Sequence, residues 1–469
     1  MLPGPVCVAL TPKRVSDVFD VPVSGADCVE VRLDYLDDPR EAASVQWRDL
    51  PVPVIATCRG RERGGQFDGS IGQEIGILER AAGNGAGFVD IDYRSAVPIA
   101  GAEVIASCHD FDGTPDDVAD VLARVCDAPG TVAKIATTVR SWTDNRRLMD
   151  LLARPWPKPV IVVGMGPTGE MTRVVGPGRG SALTFASSGT PSAPGQLGLD
   201  ELVDTFRVRS IGPDTGLVGI VGNPVGHSRS PALHNRAFRD AGLDLVYLRF
   251  PVEDVGDFFA NAEPLGIVGF SVTIPHKVEI MRYLDGMSRE AASVGAVNTV
   301  YRKDGKWMGD NTDVHGIRMA LKGVETGGAR VVVLGSGGAA RAAVAALDNA
   351  ASITLLSRTR DAGRLEWSRP IDVDRIENYG RYQPDILINA TPVGMWPDVD
   401  RIPVEGPLRA RVVFDMVYNP VRTRLLEQAG AEGSVTIPGT AMFLAQAARQ
   451  FEIWTGCPSE TDAFRAGAA

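Results

Sequence analysis

The sequence predicts an α/β protein in two halves, an N-terminal (β/α)8 barrel followed by an α/β domain and a Rossmann domain. At 469 residues the chain is too long for one ordinary hydrophobic core. Eight short β-rich runs alternate with helical segments in the first half, which is the pattern of a barrel. In the second half, VVVLGSGGAAR (331–341) has the strand, glycine-rich turn and helix order of a Rossmann unit.

The predicted barrel strands follow one another at intervals that leave room for helices. They cover residues 5–11, 28–36, 53–59, 87–93, 103–111, 131–138, 159–166 and 183–188. The connection over 94–102 is too short for a helix, and it is the one departure from strict alternation.

Composition argues against several classes of function. A net charge of −10 without a long basic block disfavours nucleic acid or an acidic membrane surface as a partner. The apolar runs are strand-sized, so no membrane span is predicted, and an apolar strand within residues 1–11 predicts a cytoplasmic protein without a leader. The six cysteines form no C-x-x-C pair, which favours buried thiols over disulfides or a metal site.

Charged residues on the predicted barrel strands indicate an active site at the carboxyl ends of the strands. Glu30, Arg32 and Asp34 alternate along the second strand and are expected on one face. The other charged positions, on the third to sixth strands, are Arg59, Asp92, His109 and Lys134. A charge inside an apolar strand is costly unless it is paired or used, so a convergent set favours a site.

Lys134 has the pattern of a lysine that forms a Schiff base. It lies in TVAKIATT with no acid nearby in sequence. Burial and cations such as Arg173 would lower its pKa and free the amine to attack a carbonyl, whereas a lysine reaching solvent at a strand end is the alternative. His109 is the expected proton shuttle, with Glu30 to orient its ring; a structural hydrogen-bonding histidine is the alternative.

In its motifs the first half resembles the type I 3-dehydroquinate dehydratases. These motifs are EVRLD (30–34), CHDFDGTP (108–115), AKIA (133–136), EMTRVVG (170–176) and SAPGQ (192–196). The resemblance implies that Lys134 forms an imine with the substrate ketone. It also implies that His109 removes a proton, assists loss of water and serves in hydrolysis of the imine. The implied substrate contacts are Glu30, Arg32, Arg59, Arg173, Ser192 and Gln196, and Glu30 or Asp92 would orient the histidine. Asp92 departs from the glutamate expected there.

A coenzyme site is predicted at the glycine-rich turn, and an ordinary turn between strand and helix is the alternative. Gly335 would allow the tight turn, Gly337 the close approach of backbone to pyrophosphate, and Gly338 the packing of helix on strand. The next strand, 352–356, leads into SRTR (357–360), where an NAD site usually carries an acid. Two arginines favour the 2′-phosphate of NADP, and a solvated basic loop is the alternative. The predicted coenzyme contacts are Gly335, Ser336, Gly337, Gly338, Ala339, Arg341, Ser357, Arg358, Thr359 and Arg360.

The best domain boundary is RVRSIGPDTG (207–216), which is polar and contains glycine and proline. We predict a barrel over 1–207, a linker over 208–216, a substrate domain formed by 217–320 and 438–469, and a Rossmann domain over 321–437.

The second half resembles the shikimate dehydrogenases. Besides the glycine-rich turn and SRT, the motifs are GIVGNPVGHSRSPALHNRAF (219–238), FSVTIPHK (270–277), GAVNT (295–299), GDNTDVHG (309–316), INATPVGM (388–395), DMVYNP (415–420) and PGTAMFLAQAARQFEIWTG (438–456). The resemblance implies that Lys277 and Asp313 are the catalytic pair and that Lys277 passes a proton to the substrate oxygen as hydride moves. From the residues alone, a plain ion pair is the alternative.

Further contacts follow from this second resemblance. It implies that Ser228, Ser230 and Tyr418 meet the substrate carboxylate and that Thr273, Asn298, Asp313 and Gln446 bind ring hydroxyls. Thr391 and Met395 would line the nicotinamide, and ordinary turn and core positions are their alternative. Helix capping is the alternative for the two serines. The family more often has asparagine where Ser357 stands, and no Cys/His metal set appears, so metal-free hydride transfer is expected.

Together the halves predict consecutive reactions on small molecules: dehydration of 3-dehydroquinate to 3-dehydroshikimate, then reduction to shikimate with NADPH. We expect no nucleic-acid or membrane partner, and a monomer rather than an oligomer. A catabolic enzyme acting on quinate with NAD is one alternative. A non-catalytic metabolite sensor is another; it predicts loss of catalytic groups, but Lys134, His109, Lys277 and Asp313 are all present.

Overall fold

The computed structural model describes residues 2–189, 191–358, 367–459 and 463–464, and its N-terminal part is an eight-stranded parallel barrel. The strands are β1 Val6–Leu10, β2 Cys28–Arg32, β3 Val54–Thr57, β4 Phe88–Asp92, β5 Glu103–Asp110, β6 Val132–Thr138, β7 Val160–Met165 and β8 Thr184–Ser187. They pair in sequence order, and β8 lies beside β1. The N–H of Ala182 donates to the carbonyl of Val160 at 2.8 Å, which nearly closes the barrel between β7 and β8. The predicted barrel is confirmed.

In the described part of the chain, α-helices follow four of the barrel strands. They are α1 Ile71–Gly83, α2 Val118–Asp127, α3 Trp142–Leu152 and α4 Glu170–Val175. Ser141 caps α3, because its hydroxyl accepts the N–H of Asp144 at 3.1 Å. A 3-10 segment, Pro39–Ser44, follows β2 where a helix was expected, and residues 94–102 form no helix, as predicted.

Apolar side chains fill one layer inside the barrel. On the same strand faces, polar side chains follow towards the carboxyl ends of the strands. Ile55, Ile105 and Phe185 belong to one buried apolar cluster. Two and four residues beyond Ile105, Ser107 and His109 lie on the same face of β5 but nearer its carboxyl end. The fold therefore places the chemistry at the end of the barrel where such sites occur.

The middle of the chain forms a mixed sheet. Its strands are β9 Gly216–Gly222, β10 Leu245–Pro251, β11 Ile267–Val272, β12 Gly286–Met287, β13 Thr299–Lys303 and β14 Lys306–Asp310, in the order β10-β9-β11-β13-β14-β12. Its helices are α5 Ser230–Asp240, α6 Val255–Ala262, α7 Arg289–Val294 and α8 Thr312–Ala320. β13 runs antiparallel to β11 and β14.

The C-terminal part is a Rossmann sheet. It contains β15 Arg330–Leu334, α9 Gly338–Ala346, β16 Ser352–Ser357, β17 Asp372–Arg375, β18 Ile386–Asn389, β19 Val412–Asp415, α10 Arg424–Ala431 and β20 Val435–Ile437, and α11 Gly439–Thr455 follows. The order β17-β16-β15-β18-β19-β20 corresponds to 3-2-1-4-5-6 in the Rossmann fold. Val331 and Val333 pack on one face of β15 and Val332 and Leu334 on the other, which explains its continuous apolar run.

Contacts divide the chain into two compact units. The first contains residues 1–217, 226–235 and 244–267, and the second contains 218–225, 236–243 and 268–469. β10 and α6 therefore pack with the barrel, although the sequence analysis assigned them to the substrate domain. Among the helices described, none is long and apolar enough to cross a membrane.

Candidate active sites

Lys134 lies inside the barrel in contact with two carboxylates. Lys134 is only 4% exposed. Its Nζ atom donates a hydrogen bond to Oδ2 of Asp90 at 2.9 Å and lies 3.8 Å from Oε1 of Glu30. The ring of Phe185 packs 4.1 Å from the same nitrogen. Cations such as Arg173 were expected beside this amine, but its charged contacts are acids of β2 and β4.

Asp90 is the residue at this site that the sequence analysis missed. Besides Lys134, its carboxylate accepts hydrogen bonds from Nη2 of Arg59 at 3.0 Å and from the hydroxyl of Ser107 at 2.7 Å. Burial alone raises the pKa of Asp90, but the charges of Lys134 and Arg59 outweigh burial and hold that pKa well below its usual range. The signal was available, because Asp90 is a charged residue between apolar neighbours in FVDID.

Asp92, which the sequence analysis chose instead, is placed differently. Its carboxylate accepts the backbone N–H of Arg94 at 3.0 Å and Nε of that arginine at 3.1 Å. Arg94 is largely exposed, so this pair lies at the rim of the barrel. The structure brings Asp90, and not Asp92, into contact with Lys134.

His109 lies on β5 two residues beyond Ser107, half-buried and stacked on the ring of Phe111 at 6.2 Å. Burial lowers the pKa of His109 well below its ordinary value, and the cations Arg59 and Lys134 lower it further, while Asp90 opposes them. A neutral imidazole is able to accept a proton. Glu30, expected to orient this ring, instead accepts the hydroxyl of Thr57 at 2.8 Å.

Two arginines near the barrel end are paired with acids: Arg59 with Asp90, as described above, and Arg32 with Asp34. Nε and Nη2 of Arg32 donate to the two carboxylate oxygens of Asp34 at 2.9 and 2.8 Å. Asp34 was expected to continue β2, but it lies in the 3-10 turn Leu33–Tyr35. Arg59 was expected to end β3, but the strand ends at Thr57.

Arg173 is buried on α4 with spare hydrogen-bonding capacity. Its Nη2 donates to the carbonyl of Pro194 at 3.3 Å, and its buried Nε has no hydrogen-bond partner in the part of the chain described. Burial lowers its pKa to about 10, opposed by the charge of Glu170. The nearby amide of Gln196 accepts the N–H and hydroxyl of Ser192 at 2.7 and 3.0 Å. A buried donor without a partner indicates a site for an anionic ligand.

In the second unit, Lys277 and Asp313 form a direct pair. Nζ of Lys277 donates to Oδ2 of Asp313 at 2.5 Å, and the amide of Asn298 donates to Oδ1 at 2.8 Å. Asp313 lies in the first turn of α8, which Asn311 caps by accepting the N–H of Asp313 at 3.1 Å. The pair that the second resemblance implied is therefore assembled in the fold.

A polar network from α11 supports this pair. The amide of Gln450 donates to the carbonyl of Asn298 at 3.2 Å and to the hydroxyl of Thr299 at 3.0 Å. Gln446, one turn earlier, accepts the hydroxyl of Thr312 at 3.4 Å. Sequence reasoning named Gln446 and missed Gln450, although both lie at i and i+4 in AQAARQ.

The other expected substrate contacts divide between the units. In the first unit, the hydroxyl of Ser228 accepts the N–H of Ser230 at 3.2 Å, just where α5 begins, which fits the capping alternative as well. In the second unit, the N–H of Thr273 donates to the carbonyl of Val221 at 2.8 Å, and Tyr418 stacks on Phe443 at 4.5 Å.

The glycine-rich turn fits a dinucleotide. Gly335 has a φ of +107°, and a Cβ there would lie 3.0 Å from the carbonyl of Ala390. α9 begins at Gly338 without a side-chain cap, so its first N–H groups remain available to an anion. A Cβ on Gly338 would lie 3.0 Å from Cδ of Lys277, which places this turn next to the catalytic pair.

The remaining coenzyme positions lie around this turn. Ser357 is buried at the end of β16, and Arg358 follows it on the surface, exposed to solvent. Thr359 and Arg360 lie outside the described residues. The hydroxyl of Thr391 donates to Asn389 at 2.7 Å, and Met395 is 41% exposed. The guanidinium of Arg341 lies 5.5 Å from the ring of Trp367.

Comparison with known proteins now decides the family. A model of type I 3-dehydroquinase matches residues 6–213, and models of the shikimate dehydrogenase substrate-binding and C-terminal domains match residues 220–300 and 439–466. A bifunctional 3-dehydroquinate dehydratase/shikimate dehydrogenase of Arabidopsis thaliana, a chloroplastic protein, is 33% identical over 98% of this chain and 83% of its own length. The chain belongs to this bifunctional family.

Two further relatives match the shikimate dehydrogenase half. A shikimate dehydrogenase (NADP(+)) of Methanocaldococcus jannaschii is 41% identical over 52% of this chain and 93% of its own length. A solved shikimate 5-dehydrogenase of Listeria monocytogenes, in complex with shikimate and NAD, is 34% identical over 55% of this chain and 98% of its own, with a TM-score of 0.50. As a member of the bifunctional family, this chain is a dehydratase and an NADP-linked shikimate dehydrogenase.

Proposed function

We propose that the barrel dehydrates 3-dehydroquinate through an imine on Lys134. The contact that carries this proposal is the hydrogen bond between Lys134 and Asp90, because it fixes a buried amine at the carboxyl end of the barrel. The amine attacks the substrate ketone, and loss of water gives the imine. Asp90, held in turn by Arg59 and Ser107, orients the amine.

His109 moves the protons in this proposal. Its imidazole is neutral for the reasons given above, so it removes a proton from the carbon next to the imine and then returns it to the departing hydroxyl. Hydrolysis of the imine releases 3-dehydroshikimate and regenerates Lys134. Arg173, whose Nε has no hydrogen-bond partner among the described residues, would bind the substrate carboxylate. Arg32, Arg59, Ser192 and Gln196 would hold the remaining polar groups.

The second half would then reduce the ketone of 3-dehydroshikimate to shikimate. NADPH supplies the hydride. Lys277 gives a proton to the carbonyl oxygen, and Asp313 keeps its amine in place with the help of Asn298. Thr273 and Gln446 would bind hydroxyls of the substrate, and Tyr418 its carboxylate, while the roles of Ser228 and Ser230 stay predictions from the resemblance.

The coenzyme would lie across the turn over 335–341. The uncapped N-terminus of α9 would meet the pyrophosphate, and the exposed Arg358 would meet the 2′-phosphate. Thr391 and Met395 would flank the nicotinamide. Because the side chain of Ser357 is buried, we propose that it stabilises the end of β16 and does not contact the 2′-phosphate.

A single assay with two variants tests both assignments. Adding 3-dehydroquinate and NADPH to the wild-type chain oxidises the coenzyme, because the first half makes the substrate of the second. Lys134→Met and Lys277→Met each abolish this oxidation, and a mixture of the two variants restores it, since each supplies the half that the other lacks. Oxidation by either variant alone, or none by the mixture, would refute the assignment of one lysine to each reaction.

We also infer a monomer of the cytoplasm. All six cysteines are free thiols in the structure, which suits a reducing compartment. Light scattering of the purified chain tests the monomer, and fractionation of cells tests the compartment.

A further inference from the structure

A buried arginine of the middle segment neutralises two acids that belong to the barrel half. Nε of Arg249, on β10, lies 2.9 and 3.0 Å from the two carboxylate oxygens of Glu170, and its Nη1 lies 2.8 Å from Oε1 of Glu201. The side chains of Arg249 and Glu170 are only 10% and 12% exposed. Phe206 packs against the guanidinium at 5.5 Å. Neither reaction, as assigned above, uses this cluster.

Glu170 stands three residues before Arg173 on α4, so the two side chains are neighbours on one helix face. Burial raises the pKa of Glu170, while the charge and hydrogen bonds of Arg249 oppose that rise. The charge of Glu170 in turn acts on Arg173. A carboxylate so placed competes with any anionic ligand for Arg173 unless another cation holds it.

We propose that Arg249 is a positioning residue of the dehydratase: by holding Glu170, it leaves Arg173 free to bind the carboxylate of the substrate. The proposal rests on the assignment of Arg173 to that carboxylate. Arg249 lies within 220–300, the range that matches the shikimate dehydrogenase substrate-binding domain. A residue of the reductase sequence thus completes the site of the other reaction.

The segment that carries Arg249 is attached to the barrel independently of this cluster. Asp257 of α6 accepts the N–H of Trp142 at 2.5 Å and the hydroxyl of Thr143 at 2.7 Å, at the start of α3. The indole of Trp142 packs edge-on against Phe250 and Phe258, at 5.2 and 4.9 Å. Removing the charge of Arg249 therefore leaves the segment docked.

Arg249→Gln is the decisive variant, assayed for dehydration of 3-dehydroquinate by the rise in ultraviolet absorbance of the conjugated product. We expect the KM to rise roughly 10- to 100-fold, the effect of losing one charge-assisted hydrogen bond, with little change in kcat. Reduction of 3-dehydroshikimate by the same chain should be unchanged. Asp257→Asn is the matched control, because it weakens the docking without touching Glu170, and its KM should stay at the wild-type value.

The pH dependence distinguishes charge capture from loss of structure. In Arg249→Gln, the charged groups facing Glu170 are Arg173 on its own helix and Glu201 from the π-helix Glu201–Thr205. Protonation of Glu170 at low pH would release Arg173, so the raised KM should fall towards the wild-type value as pH decreases. The double variant Glu170→Gln/Arg249→Gln should have a nearly wild-type KM at every pH.

Three results would overturn the proposal: an unchanged KM in Arg249→Gln, a raised KM that does not respond to pH, or a double variant as impaired as the single one. The assignment of Arg173 is tested separately by Arg173→Met. If that variant binds 3-dehydroquinate normally, the carboxylate assignment fails, whatever Arg249 does.

Discussion

Lys134 and Asp90 are joined by a hydrogen bond of 2.9 Å, although 44 residues separate them in the chain. Strands β4 and β6 carry the two residues, and β5 between them contributes Ser107 to the same carboxylate. Asp92, two residues further along β4, turns to Arg94 instead. The orientation of the amine is therefore decided by Asp90.

Asp90→Asn should lower kcat for dehydration by about 100-fold or more, because it removes the charge that orients Lys134 and leaves the buried cations Arg59 and Lys134 without the carboxylate that both contact. Asp92→Asn is the matched control and should cost less than about fivefold, the range of an exposed pair. Steady-state kinetics measure both. The shikimate dehydrogenase activity of each variant reports whether the chain remains folded. Equal losses in the two variants would contradict the placement.

Lys134 should be trapped covalently by its substrate. When the protein is incubated with 3-dehydroquinate and sodium borohydride, reduction of the imine should leave the ligand attached to Lys134 and abolish dehydration. Mass spectrometry of the digested protein locates the adduct. Lys158 is a suitable internal comparison, because its amine is held by the carbonyls of Ala128 and Gly130 and should stay unmodified. An adduct at another lysine would contradict the mechanism.

Because the pKa of His109 lies below 6.5, the ordinary value for histidine, dehydration should stay active at pH values below 6.5. Burial and the cations Arg59 and Lys134 lower the pKa of His109, so its imidazole stays neutral to a lower pH than a free histidine does. We expect the acid limb of kcat/KM to have its midpoint below 6.5. Arg59→Gln removes one of these cations and should move that midpoint to higher pH. A wild-type midpoint above 6.5 would be the contrary result.

Lys277→Met should lower kcat for reduction of 3-dehydroshikimate by roughly 100- to 10,000-fold, the usual contribution of a positioned proton donor. Consumption of NADPH measures the loss, and dehydration by the barrel should be unaffected. Lys303→Met changes an exposed lysine of β13 and serves as the control. If Lys277→Met retained its activity, proton donation would have to be assigned elsewhere.

Arg358→Ala should weaken the use of NADPH selectively. Loss of a charge-assisted contact to the 2′-phosphate should raise the KM for NADPH by roughly 10- to 100-fold and leave the KM for NADH unchanged. Arg375→Ala is the comparison, because Arg375 is the last residue of β17 and is already paired with Glu377 at 3.0 Å. An equal rise in the KM for NADPH and for NADH would show that Arg358 does not bind the 2′-phosphate. It would favour the alternative in which the enzyme uses NAD.

The architecture was predictable from the sequence because it depends on local patterns. Each predicted barrel strand contains the observed one, and the turn at Gly335 leads into α9 as expected. Continuous apolar runs mark strands buried on both faces, and a glycine between strand and helix marks a tight turn. The strand ends were less predictable: Asp34 and Arg59 lie beyond their strands, and Arg59 pairs with Asp90 of β4, a contact that no local pattern specifies.

The sequence by itself determined the residue types available for catalysis and their order along the strands, and its motifs identified Lys134, His109, Lys277 and Asp313. The tertiary structure decided which acid meets Lys134, that Gln450 supports Asn298, and that Arg249 holds Glu170. The physical reason is distance. Strand periodicity places a side chain on a face, but the partner of a buried charge comes from other strands and depends on how the sheet is assembled.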